Sequence, residues 1–146
     1  MKIKSAFNDG KEIPKKYTCD GENISPPLEI SDIPKKTKSL AIIMDDPDAP
    51  AKVWVHWIIW NIPIASTSIK IEENGEIFGI KGANDSQELE YSGPCPPSGT
   101  HRYFFKVYAL DDNLSLPKGA SKEELEDEMQ NHIIEKSQLI GTYSKK

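Results

Sequence analysis

At 146 residues and 16.4 kDa the chain holds one domain, residues 1–146, on the usual scale of ~100–200 residues per domain. With 37% apolar and 28% charged residues, nine glycines and eleven prolines, it is too apolar for disorder and too rich in turn formers for a helical bundle or repeat array. Eighteen Lys and Arg against twenty-three Asp and Glu give a net charge of −5, the wrong sign for a nucleic-acid binder that neutralises many phosphates.

From Met1 to Pro14 polar and apolar residues alternate, so no secretory segment is expected. The densest apolar runs, Leu40–Met44 and Trp57–Trp60, fall far short of the ~20 residues a bilayer requires, so no membrane span is expected either. A cytoplasmic protein is the default. Cys19 and Cys95 are too few for a disulfide scaffold and lack metal-ligand spacing, so free thiols in a reducing cytosol are expected, with a single bridge between them as the alternative.

Turn punctuation at Asn8-Asp9-Gly10, Asp20-Gly21, Ser25-Pro26-Pro27, Asn74-Gly75 and Gly93-Pro94 separates short β-like runs through three quarters of the chain. That rhythm predicts an all-β-dominated sandwich or barrel. Ser39–Met44, Val53–Asn61 and His101–Ala109 read as central strands buried on both faces. One helix is predicted near the C-terminus. Ser121 and Glu124 form its capping box, and Leu125, Met129 and Ile133 form its apolar stripe. The acids Glu123, Glu124, Glu126, Asp127, Glu128 and Glu135 read as a solvated helix face, and Thr142-Tyr143 as a short strand or extended tail.

Three constellations carry candidate chemistry. Asp45-Asp46-Pro47-Asp48-Ala49-Pro50 crowds three carboxylates that repel unless a cation or donors lie near, while two prolines stiffen the turn. Taken alone it reads first as an acidic, proline-stiffened surface turn. In Trp54-Val55-His56-Trp57 the period of two places Trp54, His56 and Ile58 on one face of a strand and Val55, Trp57 and Ile59 on the other. By itself His56 reads as a core histidine bonded to a carbonyl: burial lowers its pKa and a neighbouring carboxylate raises it. From Tyr91 to Tyr103 a Gly- and Pro-dense loop leads into His101 and Arg102, a combination that can hold an anion or simply connect two sheets.

Asp46-Pro47-Asp48-Ala49-Pro50, the His56 strand ending in Asn61, and Gly99-Thr100-His101-Arg102-Tyr103 together resemble the two signature regions of the phosphatidylethanolamine-binding protein family, also called Raf kinase inhibitor proteins. Tyr17–Leu28 and Leu139–Tyr143 are similar to its short bacterial and archaeal members, so the resemblance runs from about Tyr17 to Tyr143. Ile30 departs from it, standing where short members commonly carry Trp. The C-terminal helix that closes over the pocket in larger eukaryotic members has no counterpart here.

The resemblance implies an antiparallel β-sandwich with a pocket at one end for phosphate-type anions or phospholipid head groups. Carried over by position, its walls are Asp46, Trp54, His56, Tyr91, Gly93, Pro96, Pro97 and His101, with Asp48 and Arg102 in support. His56 and His101 are expected to donate to phosphate oxygens, with Asp46 raising an imidazole pKa. The function expected is non-catalytic binding of a small phosphorylated molecule or head group, with a regulatory role and no cofactor. Two alternatives remain. Family members known as inhibitors of kinases or serine proteases make the loop Asp85–Thr100 a docking surface for a protein target, and Asp46, His56, Cys95 and His101 are chemically competent ligands for a zinc hydrolase. Ser98 and Thr100 beside His101 do not amount to a nucleophile with its base. Resemblance to the short members also points to a homodimer, although no residue marks an interface.

Overall fold

The computed structural model describes all 146 residues. Eight strands form two sheets. Strands β1 (Lys2–Lys4), β2 (Leu28–Ser31) and β5 (Ile69–Ile71) make a three-stranded sheet in the order β1-β2-β5. Strands β3 (Ser39–Asp46), β4 (Trp54–Ile62), β6 (Ile80–Lys81), β7 (Thr100–Leu110) and β8 (Ile133–Ser144) make a five-stranded sheet in the order β6-β4-β3-β7-β8. Every strand pair is antiparallel.

The three runs read as central strands hold the middle of the larger sheet, and β3 is buried along its whole length. Its alternate residues serve two cores, as the period of two demands. Leu40, Ile42 and Met44 face the smaller sheet and join Leu28, Ile30, Trp57, Phe105 and Val107 in the sandwich interior. Ala41 and Ile43 face the opposite way and pack with Trp60, Tyr108, Leu114, Leu116 and Leu125 beneath helix α1 (Lys122–Met129). Each of these large side chains contributes ~1.5–3 kcal/mol by leaving water. Ile30, fully buried, fills its place in the interior without a tryptophan.

Helix α1 begins as predicted. Ser121 Oγ accepts from Glu124 N–H at 3.2 Å, and Glu124 Oε1 accepts from Ser121 N–H at 3.0 Å. Its end differs. The apolar stripe stops at Met129, because Gln130 turns extended and Asn131 takes a left-handed φ of 69°. Ile133 instead opens the twelve-residue β8, which pairs with β7 from Leu110↔Ile133 to Thr100↔Ser144. Thr142 and Tyr143 are therefore the end of a long edge strand, and Glu135 lies on β8 rather than on the helix. Residues 9–13 lie along the far end of that edge: Gly10 N–H donates to Ile140 O (2.7 Å), Ile13 N–H to Thr142 O (2.8 Å) and Thr142 N–H to Lys11 O (2.9 Å). An edge that would otherwise offer unpaired backbone groups is thereby covered.

Strand β4 departs from strict alternation. Met44 is opposite Trp57 but Asp45 is opposite Val55, so His56 is an extra residue with no partner on β3. This bulge keeps Trp54 and His56 on one side of the sheet and sends Ile58 to the other, where it packs with Val55. The expected grouping of Trp54, His56 and Ile58 on one face is corrected accordingly.

Candidate functional site

The end of β3 and the starts of β4 and β7 meet at one end of the sandwich, because neighbouring antiparallel strands bring the end of one beside the start of the next. The three constellations meet there as well. Each carboxylate of the acidic turn finds a cationic or imidazole partner on β7. Asp45, buried on the outer face, is bonded by Lys106 (3.0 Å) and by Lys122 at the start of α1 (2.8 Å). Asp46 takes His101 Nδ1–H at 2.7 Å on one oxygen and Asp48 N–H at 2.7 Å on the other. Asp48 accepts from Arg102 Nε–H (2.9 Å), Nη2–H (2.8 Å) and N–H (2.9 Å). The Arg102 guanidinium holds the Asp48 carboxyl down at about 2.

Asp46, Trp54, His56, Gly93, Pro96, Pro97 and His101 border one recess of about 350 Å³. At its floor His56 and His101 flank Tyr103, edge-on to the first (centroids 5.3 Å) and stacked on the second (6.4 Å). His56 Nδ1 lies 2.6 Å from Ser92 O, and a carbonyl only accepts, so the ring proton sits on Nδ1. His101 Nδ1 is likewise committed to the Asp46 carboxylate. Each ring therefore keeps only Nε2 for anything else.

Burial lowers the His56 pKa below its usual 6.5 and outweighs the bond to Ser92 and the charges of Asp46, Asp45 and Asp85, all of which act to raise it. For this histidine the expected rise is corrected. Burial likewise pushes the Tyr103 hydroxyl well above the usual phenol value.

Three of the expected site residues lie elsewhere. Asp48 and Arg102 do not line the recess. Their ion pair straps the acidic turn to the start of β7. Tyr91 turns away to a separate cavity of about 240 Å³, edge-on to Trp57 (5.5 Å, 90°), because its hydroxyl donates to Tyr17 O at 2.7 Å.

Several contributors were not anticipated. Ala49, Pro50, Ser86 and Ser92 complete the wall. Asn84, buried at 4% exposure, organises the loop behind it: Nδ2 donates to His56 O (3.2 Å) and Glu90 O (2.8 Å), while Oδ1 accepts from Ser86 N–H (2.9 Å) and Glu88 N–H (3.0 Å). Asp85 beside it accepts from Val55 N–H at 2.7 Å. Asn84-Asp85-Ser86 is turn chemistry, the one sequence signal that marks this segment. Gly93 is required by close approach, since a Cβ there would lie 2.2 Å from Tyr17 O and 2.5 Å from Asn23 Oδ1.

The free-thiol expectation is overturned. Cys19 and Cys95 form a disulfide across a sequence separation of 76, with Cα atoms 5.5 Å apart. Chain folding, which carries the loop after Tyr91 back onto the segment 17–23, creates that proximity. With its sulfur committed, Cys95 offers no thiolate, and no three His, Cys, Asp or Glu side chains are disposed to hold a metal ion. Thr100 Oγ1 is paired with Ser144 Oγ at 2.6 Å, and Ser98 does not line the recess.

A two-sheet β-sandwich with an imidazole-floored recess at one end is the architecture and site on which the comparisons with known proteins bear. A family model described as phosphatidylethanolamine-binding protein matches residues 3–144, and the chain belongs to that family. It is 55% identical to a UPF0098 protein of Methanothermobacter thermautotrophicus, covering 98% of both chains, and 48% identical to a UPF0098 protein of Chlamydia muridarum, covering 94% of both. Among solved structures, a phosphatidylethanolamine-binding protein homologue of Chlamydia trachomatis superposes with a TM-score of 0.92 at 44% identity, over 99% of this chain and 97% of that one. Escherichia coli YbcL, a member of the mammalian family, gives 0.89 at 28% identity over 99% and 98%. No helix is long and apolar enough to cross a membrane.

Proposed function

We propose that the recess receives the phosphate group of a small phosphorylated molecule or a phospholipid head group, and that the chain, acting as one domain, binds it without catalysis and serves a regulatory role. The observation that carries this reading is the pair of imidazoles. His56 and His101 open on one recess with Nδ1 of each already committed, so Nε2 donates to a ligand oxygen only when the ring is protonated. Binding an oxyanion is then coupled to proton uptake. As pH rises the rings lose their protons and affinity falls; as pH falls the phosphate, with its second ionisation near ~6, loses charge and affinity falls again. The lowered pKa of His56 draws the optimum to the acid side of neutrality.

Calorimetry of O-phosphoethanolamine from pH 5 to 9, in buffers of differing ionisation enthalpy, tests this. Net proton uptake and a bell-shaped affinity are expected, with loss of both in His56→Ala and His101→Ala. Flat affinity across that range defeats the charge-paired mechanism. Vesicles containing phosphatidylethanolamine, run against soluble O-phosphoethanolamine, separate a lipid head group from a free phosphorylated molecule.

A second reading has its own support. Pro97, Ser98 and Gly99 stand exposed at the rim beside a disulfide, which suits a stiff loop docking on a serine protease or a kinase. Inhibition of a protease or kinase panel that survives His101→Ala marks a loop-surface effect, and inhibition that disappears marks a pocket effect. We also propose a cytoplasmic, homodimeric protein; cell fractionation and sedimentation test those two points.

A further inference from the structure

The disulfide occupies a particular place on the recess. Cys95 borders it, and both Cys19 and Cys95 are solvent-exposed. The fastenings of the wall it belongs to are concentrated upstream. Ser92 N–H donates to His56 O (3.1 Å), Gly93 N–H to Asn23 Oδ1 (2.8 Å), and Cys19 N–H to Pro94 O (3.1 Å). Beyond Pro94 these ties stop. Pro96 and Pro97 have no N–H to give, and residues 95–98 make no backbone–backbone hydrogen bond. Beyond Pro94, and apart from the packing of the buried Pro96, the tie between the segment that carries Pro96 and Pro97 and the segment 17–23 is a covalent bond open to solvent. Exposed disulfides are the labile class, in contrast to the buried structural ones.

We propose that Cys19–Cys95 is a site of thiol–disulfide exchange that sets the shape, and so the affinity, of the recess. This rests on the reading of the recess as an anion site. The step requires a dithiol reductant. One of its thiolates attacks a protein sulfur and breaks the S–S bond, giving a mixed disulfide and one protein thiolate. Its second thiolate then displaces the other protein sulfur. Two electrons pass to the protein, each cysteine sulfur takes up a proton, and the reductant leaves as its own disulfide. Once freed, residues 95–98 no longer close the wall, and water reaches the floor where His56, bonded to Ser92 O, lies against the Tyr103 ring and beside Asp46, with the charges of Asp45 and Asp85 acting on it from outside the recess.

The chain has only three histidines, which makes a direct test practicable. Their imidazole resonances are titrated in the oxidised protein and after treatment with dithiothreitol, with inorganic phosphate as the ligand probe. Reduction is expected to move the His56 midpoint up toward the ordinary ~6.5 as burial is relieved. His132, bonded to Asp111 outside the recess, stays where it was. Phosphate affinity falls about tenfold if the closed wall drops to about a tenth of the population. Cys19→Ser combined with Cys95→Ser reproduces the reduced form, and reduction of the native chain supplies the result should that variant fail to fold.

Two results overturn the proposal. One is cysteines that resist dithiothreitol and iodoacetamide in the folded protein yet react after unfolding. The other is full reduction with the His56 midpoint and phosphate affinity unchanged. A His56 shift in a protein that binds phosphate in neither state supports the latch and defeats the anion reading, so the two failures are told apart.

Discussion

Asn84→Ala removes the side chain that ties the loop 85–90 to the back of the recess. Four hydrogen bonds are lost at once, two from Nδ2 and two to Oδ1. A hydrogen bond in folded protein is worth ~0.5–1.5 kcal/mol net, and more where the partner left behind cannot reach water. Ser86, Glu88 and Glu90 are exposed residues whose backbone groups recover solvent, and His56 O keeps Ser92 N–H, so the cost falls toward the lower part of the range. The sum comes to about 2–3 kcal/mol. For 146 residues the unfolding entropy is ~0.3 kcal/mol per kelvin, so the thermal midpoint falls by about 7–10 °C in calorimetry. Asn84→Asp keeps both acceptor bonds and loses both donor bonds, so it is expected to fall between wild type and the alanine variant. A midpoint for Asn84→Ala within about 1 °C of wild type would show that the loop is held by something other than this residue.

Other expectations follow from the same geometry. The Asp48 carboxyl is depressed from 3.8 to about 2, so its pairing with Arg102 stabilises the fold above pH ~4 and is lost as pH falls through ~2. Partial exposure discounts this to about 1 kcal/mol, read as a flatter pH dependence of Asp48→Asn in urea unfolding between pH 2 and 5. Gly93→Ala drives a methyl group into Tyr17 O and Asn23 Oδ1 and is expected to destabilise by ~1–3 kcal/mol in denaturant melts; wild-type stability there would mean that the two segments part more easily than the packing indicates. His56 binds its proton less readily folded than unfolded, so stability declines as pH drops below ~6.5 until the folded midpoint is passed. A His56 midpoint above 6.5 in an imidazole titration would contradict the dominance of burial.

Much of this protein is legible in one dimension. The capping box of Ser121 and Glu124 is satisfied by atoms three residues apart, and the apolar runs of β3 and β4 declare strands buried on both faces, because local geometry alone dictates those patterns; β7, expected to be buried likewise, instead alternates over its first half, with Arg102 exposed and Phe104 and Lys106 half-buried. The ordered motifs around Asp46, His56 and His101 also mark the family, and through it the end of the sandwich where the recess lies. The tertiary structure decided what depends on distant pieces of chain. Pairing with β7 makes a strand of Ile133–Ser144 although the apolar spacing continues the helix, since a full ladder of hydrogen bonds outweighs a weak local preference. One extra residue in the register of β4 against β3 puts His56 at the recess and Ile58 in the opposite core, and a bulge leaves no mark in the sequence of its own strand. The bond from Tyr91 to Tyr17 O, the four contacts of Asn84, and the union of Cys19 with Cys95 join positions whose separation along the chain says nothing about their distance in space. The balance on His56 was settled there too, since how much water the folded walls exclude decides whether burial or neighbouring charge prevails.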